Sequence, residues 1–256
     1  MTLKRKLSAT AIQLLLLLPL ATHAQPHSSK ELSLKSPLKS IELPKQQTQK
    51  TSRSGIVELR GGQEATPLTY PTDFSDAALQ RSKPYQHLIS EAALKWNVEQ
   101  SLIYAVMHVE SYFNPRAVSS AQALGLMQVT QNGAVSEFSR RYLGGRTLEN
   151  DQVFVPRTNI EIGTAYIHLL STYYLNQIRS PQTRQLATIA AYNCGLSNLM
   201  KHTFDTDSLD YFVYRLNQTS TQEWQKVLTE QFPIAETRNY VTKVLDRKQY
   251  YQALIN

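Results

Sequence analysis

The chain has 256 residues, 41% of them hydrophobic, and its 27 Lys and Arg against 20 Asp and Glu give a formal net charge of +7. That apolar content supports one core of about 150 residues or more. A single cysteine, Cys194, excludes an internal disulfide, and without a basic run interleaved with aromatics the mild charge argues against nucleic acid as a partner.

The first segment, MTLKRKLSATAIQLLLLLPLATHA, has a basic start (Lys4, Arg5, Lys6), an apolar run through Leu20 and small residues at Thr22 and Ala24. It reads as a secretory signal over residues 1–24. A retained anchor is the competing reading, although the run is short for a bilayer span. No cysteine follows it, so a lipoprotein anchor is not expected, and the predicted location is periplasmic or exported. Without Lys4, Arg5 and Lys6 the balance is 24 basic to 20 acidic residues, or +4. That suits contact with an anionic envelope as readily as ordinary solubility.

Residues 25–74 are rich in Ser, Lys, Gln and Pro and lack a sustained apolar period, which predicts a flexible linker with at most a short strand around Ile56–Leu59. From residue 75 the pattern turns helical and continues to residue 256. Tyr85, Leu88, Ile89, Ala92 and Trp96 mark one amphipathic helix, and Leu102, Ile103, Val106 and Val109 a second, stopped by Asn114-Pro115. Ile160, Ala165, Tyr166, Leu169, Leu170 and Tyr173 predict a long, largely buried helix. Ser180-Pro181 reads as an N-cap and first-turn proline for QTRQLATIAAYN, and Ser220 with Glu223 as a capping box ahead of WQKVLTEQF. A last helix after Pro233 carries Tyr240, Val241, Val244 and Leu245. Six or so helices with no convincing sheet predict an all-α domain. The stretch SRRYLGGRTLENDQVF reads as a loop, with Glu137, Glu149 and Asp151 as solvated acids nearby.

No H-E-x-x-H or C-x-x-C occurs and the histidines are scattered, so neither a metal site nor a cofactor is expected. The absence of a G-x-S-x-G elbow or a phosphate-binding glycine loop removes serine catalysis and nucleotide binding. What remains is Glu110, which shares a helix stripe with Ile103, Val106 and Met107. A carboxylate among apolar groups tends to stay protonated and can serve as a general acid. Periodicity alone also admits a structural glutamate, paired with a basic residue or capped by a hydroxyl.

The neighbours of Glu110 narrow the choice. ESYFNPRAVSSAQALGLMQV (residues 110–129), AYNCG (191–195) and ETRNYVTKVL (236–245) resemble, in order and spacing, three blocks of the lytic transglycosylases related to goose-type lysozyme. The membrane-bound type-C group, judged from ALGLMQV and NIEIGTAYIHLL, is the nearest. The resemblance implies a goose-lysozyme-like helical domain over residues 75–256 with a saccharide-binding cleft. It implies Glu110 as catalytic acid and base, and Ser119, Met127, Gln128, Tyr192, Asn193 and Tyr240 as the substrate-binding set. Met127 as core filler and the two tyrosines as ordinary buried phenols are the plain alternatives. Cys194 departs from the family's usual Gly or Ala, placing a thiol close to the expected cleft.

The implied partner is the peptidoglycan glycan strand; envelope or secretion-apparatus proteins stay open, as does the oligomeric state. Most glycosidases use two carboxylates, whereas the matched blocks supply one. One suffices if no water is activated and the muramic acid C6 hydroxyl closes on C1. A goose-type muramidase and a non-catalytic peptidoglycan-binding protein are the alternatives.

Overall fold

The computed structural model describes residues 76–255. The signal over residues 1–24, the linker over 25–74 and the Ile56–Leu59 strand lie outside the described residues. The described residues fold into eleven α-helices with no strands, only isolated bridges linking Val118, Leu124 and Val129.

The helices are α1 (Asp76–Ser82), α2 (Gln86–Trp96), α3 (Gln100–Ser111), α4 (Ser136–Tyr142), α5 (Asn150–Val153) and α6 (Pro156–Leu169), followed by α7 (Pro181–Cys194), α8 (Leu196–Phe204), α9 (Leu209–Leu216), α10 (Thr221–Lys226) and α11 (Ala235–Ile255). The caps fall where the sequence places them. Ser180 accepts from the Thr183 N–H with Pro181 in the first turn, and Ser220 accepts from the Glu223 N–H. Each such cap is worth about 1 kcal/mol.

The apolar stripes meet in one core. Alpha 11 lies along α3, and α2 packs on α6. Ile89, Ile103, Met107, Leu126, Ile160, Ile162, Val241 and Val244 are all buried, each contributing roughly 1.5–3 kcal/mol by leaving water. At the α3–α11 joint His108 Nδ1 and the Tyr251 hydroxyl are 2.9 Å apart, and the Tyr104 and Tyr251 rings stack at 5.1 Å. Burial and the nearby Arg247 push His108 down to about 4, so its ring is neutral at ordinary pH.

Alpha 3 stops earlier than Asn114-Pro115 suggests. Tyr112 (φ 51°) and Phe113 (φ 59°) both adopt the left-handed conformation immediately after the helix. Two such non-glycine residues cost on the order of 1–3 kcal/mol each. Their buried rings hold them there: Tyr112 lies 5.3 Å from the His108 ring, and Phe113 packs among Tyr104, His108 and Tyr251.

Three expectations are corrected. The SRRYLGGRTLENDQVF stretch is not all loop. It contains most of α4 and then α5, which is capped by a reciprocal Glu149–Gln152 box. Glu137 is not a solvated loop acid but a half-buried residue of α4, bound by Arg140 at 2.5 Å and Arg141 at 3.0 Å. Tyr173, expected on a buried face, is 50% exposed on the π turn that ends α6, with the Arg141 guanidinium 4.1 Å from its ring centre. Among the described residues no helix is long and apolar enough to cross a membrane.

Candidate active site

A cleft of about 410 Å³ opens beside the end of α3. Glu110 lines it, together with Ser119 and Gln128 from the loop after α3, Tyr166 from α6, Tyr192, Asn193 and Cys194 from the end of α7, and Glu236 from the start of α11. Glu110 is half-buried: its carboxyl reaches the cleft while protein encloses its other sides.

That enclosure sets its chemistry. Burial, as the largest influence, raises the Glu110 carboxyl from the ordinary carboxylate range to about 8. A hydrogen bond from Tyr240 opposes the rise, and the negative charge of Glu236 adds to it. At neutral pH the group therefore carries its proton. The neighbouring Tyr192 phenol is driven well above its usual value by burial, then by Glu110 and Tyr166, and stays neutral.

The loop after α3 is fixed to the framework by backbone ties. Ser111 Oγ, next to Glu110, donates to Leu126 O at 2.7 Å and holds the helix end to the Gly125-Leu126-Met127-Gln128 turn. Asn159, fully buried on α6, accepts from Met127 N at 2.8 Å and donates to Leu124 O at 2.9 Å and Val153 O at 3.0 Å. A side chain at Gly125 (φ 71°) would strike Asn159 Nδ2 at 2.4 Å, so the close approach there requires glycine. The Gln128 side chain is 8% exposed, and its Nε2 donates to Ala117 O and Gly125 O. Ser119 Oγ accepts from Ala123 N at 3.0 Å, bracing the cleft's rim.

Of the residues singled out from the sequence, Glu110, Ser119, Gln128, Tyr192 and Asn193 come together on the cleft wall. Met127 does not. Its side chain is fully buried and turned toward α6, where Thr164 Oγ1 donates to Sδ at 3.8 Å and Gly163 leaves it room. What it offers the site is its carbonyl, which accepts from the Tyr192 hydroxyl at 2.8 Å. Tyr240 stands behind the wall, 6% exposed, with its hydroxyl toward Glu110.

Sequence reasoning missed Tyr166, Glu236 and Thr237. Tyr166 sits 5.8 Å from Tyr192, ring centre to ring centre. Glu236 is a second carboxylate in the cleft, and Thr237, fully buried, donates to Asn193 Oδ1 at 2.8 Å. The ETRNYV block held the signal for both, since a helix start facing a matched turn brings its first polar residues to that turn. Cys194 does line the cleft. Burial pushes its thiol up to about 11 and it donates to Ala190 O at 3.3 Å, so it is neutral rather than a poised nucleophile. Among the described residues no three His, Cys, Asp or Glu side chains converge as metal ligands.

Parts of the chain are similar to known proteins. Residues 87–213 match the family described as Transglycosylase SLT domain. The membrane-bound lytic murein transglycosylase C of Cronobacter sakazakii is 39% identical over 173 residues, covering 68% of this chain and 48% of that protein. The protein of the same name from Haemophilus ducreyi is 36% identical over 194 residues, covering 75% and 52%. The chain thus spans about half the length of the curated relatives it matches. Among solved structures, a lytic transglycosylase Slt from Pseudomonas aeruginosa, an inactive mutant with a glutamate replaced by glutamine, has a TM-score of 0.54 at 25% identity over 72% of this chain and 26% of that one.

Proposed function

Given that residues 87–213 place this chain in the transglycosylase SLT family, we propose that it is a peptidoglycan lytic transglycosylase. It cleaves the β-1,4 bond between N-acetylmuramic acid and N-acetylglucosamine without adding water. The observation that carries this reading is a cleft glutamate whose carboxyl is raised to about 8. Such a group arrives at the substrate already protonated.

Glu110 gives its proton to the glycosidic oxygen as the bond to muramic acid C1 breaks, leaving an oxocarbenium-like centre and a carboxylate. That carboxylate then removes the proton from the C6 hydroxyl of the same sugar as its oxygen bonds to C1. The product is a 1,6-anhydro ring, and Glu110 ends the cycle protonated. The attacking hydroxyl is tethered to its target, which supplies the proximity that an external water would lack. Ser119, Gln128 and Asn193 contact the saccharide, Tyr192 shapes the wall, and Tyr240 tunes the acid.

Glu236 favours a second reading, because two carboxylates in one cleft are the usual equipment of a hydrolase. In the lyase reading its charge instead raises the proton affinity of Glu110. The catalytic domain comprises residues 75–256, and residues 1–24 direct export to the envelope, where the substrate lies. Mass spectrometry of muropeptides released from purified peptidoglycan by the full chain separates the readings. Products lighter by one water establish the lyase, full-weight reducing ends turn the assignment to a muramidase using Glu236, and binding without products makes it a glycan-binding protein.

A further inference from the structure

A second cavity, of about 180 Å³, lies on the other side of the π turn Gln131–Val135 that precedes α4. Gly133 and Ala134 of that turn line the cleft, whereas Gln131 and Val135 line the cavity together with Ser139 and Arg140 of α4 and Thr147 of the following loop. The loop is tied down on both sides. The Ser139 carbonyl accepts from Leu143 N at 3.0 Å and Gly145 N at 2.9 Å, and Gln131 Nε2 donates to Leu148 O at 3.1 Å and Asn150 Oδ1 at 2.9 Å. The cavity is therefore preformed, which spares a ligand the cost of ordering it.

Ser139 is the anomaly in its wall. The residue is 7% exposed, yet among the described residues its buried Oγ has no hydrogen-bond partner. Hydroxyls inside helices ordinarily donate to the carbonyl one turn back, as Thr188, Thr203 and Thr242 do here. Ser139 makes no such bond, so its O–H is left for a group in the cavity that its side chain lines. A buried polar group without a partner is costly and calls for one from elsewhere.

The charge of this cavity is opposite to that of the cleft. Glu110 and Glu236 line the cleft with no Lys or Arg, whereas Arg140 lines the cavity with no Asp or Glu. Arg140 gives Nη2 to Glu137 Oε1 at 2.5 Å, which leaves other N–H groups of its five for a second acceptor. At about 180 Å³ the space is below the roughly 300 Å³ at which pockets for larger ligands begin, so it takes a small group. We propose that the cavity binds a small oxyanion, a carboxylate or a phosphate, between the Arg140 guanidinium and the hydroxyls of Ser139 and Thr147. Charge-assisted bonds from a guanidinium and from hydroxyls are the donors such an anion requires. The anion comes either free from solution or as a carboxylate of the peptides that peptidoglycan carries.

The test titrates the full chain with inorganic phosphate, with acetate and with a free peptidoglycan tetrapeptide, each against chloride at equal ionic strength, and reads binding as a saturable rise in Tm. Phosphate also stabilises proteins by exclusion from their surfaces, an effect that does not saturate and is common to all variants, so the difference between wild type and Ser139→Ala is the readout. Wild type saturates, and Ser139→Ala and Arg140→Gln weaken the apparent Kd by roughly tenfold or more. Without anion, Ser139→Ala is at least as stable as wild type, because no hydroxyl is then buried without a partner. Thr147→Val shows the same weakening and serves where Ser139→Ala does not fold. Saturation by the peptide at concentrations where acetate has no effect assigns the anion to a peptide carboxylate, and saturation by phosphate or acetate alone assigns it to a free ion. Identical titrations of wild type and the variants, or a Ser139→Ala chain markedly less stable than wild type without anion, overturn the proposal. No turnover is measured, so the result stands apart from the lytic reading.

Discussion

Glu110 at the end of α3 and Tyr240 on α11 form a hydrogen-bonded pair in which the phenol supports the charged carboxylate while burial supports the neutral acid, and burial prevails. Tyr240→Phe removes the main influence that lowers the Glu110 pKa. A hydrogen bond to a charged group is worth about 1.5–3 kcal/mol, so the alkaline limb of kcat/KM moves up by about one pH unit or more. A pH–rate profile measured through the alkaline range checks this, and an unmoved limb removes Tyr240 from the tuning of the acid.

The wild-type profile itself is set by the same group. With the protonated form of Glu110 as the proposed acid, activity is expected to be sustained at neutral pH and to decline as pH rises through about 8. Glu110→Gln loses the proton donor and with it about 10²–10⁴-fold in rate. Full activity in that variant on purified peptidoglycan would move the acid elsewhere.

Glu236→Gln discriminates charge from chemistry. Removing the like charge lets Glu110 ionise more readily, so the alkaline limb moves down while products remain lighter by one water. Abolished turnover combined with an unmoved limb would instead make Glu236 a direct participant.

Stability carries the same signature. The Glu110 pKa is raised in the fold, so the folded chain holds a proton that the unfolded chain releases near the ordinary carboxylate value of 4.5. The stabilisation from that proton is whole below about 4.5 and is lost as pH rises to about 8. Glu110→Gln has no charge to bury, so its Tm advantage over wild type grows across this window and then levels. A gap that stayed constant from acid to alkaline pH would contradict the raised value.

Gly163→Ala tests the seat of Met127. The added Cβ would lie 2.5 Å from Met127 Sδ and 2.8 Å from its Cβ. Overpacking of this kind costs about 1–3 kcal/mol, which lowers Tm by several degrees. Calorimetry reads the effect, and activity falls with it because the Met127 carbonyl holds the Tyr192 hydroxyl.

The enclosed setting of Glu110 was legible from the sequence because a carboxylate on an apolar stripe is an exception to the helix's own pattern, whereas its proposed role as the acid rested on the resemblance of the surrounding blocks. Ser180, Ser220 and the stripes of α2, α3, α6 and α11 were legible for the same local reason: periodicity and capping are written within a few residues. Met127 misled because it lies in a turn without periodicity, where a one-residue change of direction separates wall from core. Glu236 and Thr237 occupy the first turn of α11, and the place of Glu236 in the cleft and of Thr237 behind Asn193 depends on how that helix docks against α7. Glu137 was misread because α4 is two turns long, too short for its pattern to stand out from a polar stretch rich in glycine and arginine.

The packing of α11 along α3 also has a meaning in time. Glu110 leaves the ribosome well before residues 235–255, yet its phenol partner, its charged neighbour and the tie on Asn193 all arrive with that later helix. A nascent chain, or one clipped before residue 235, holds the acid without the neighbours on α11 that tune its proton affinity. On the proposed lytic reading, the acid and its tuning neighbours are complete only once the last described helix has docked.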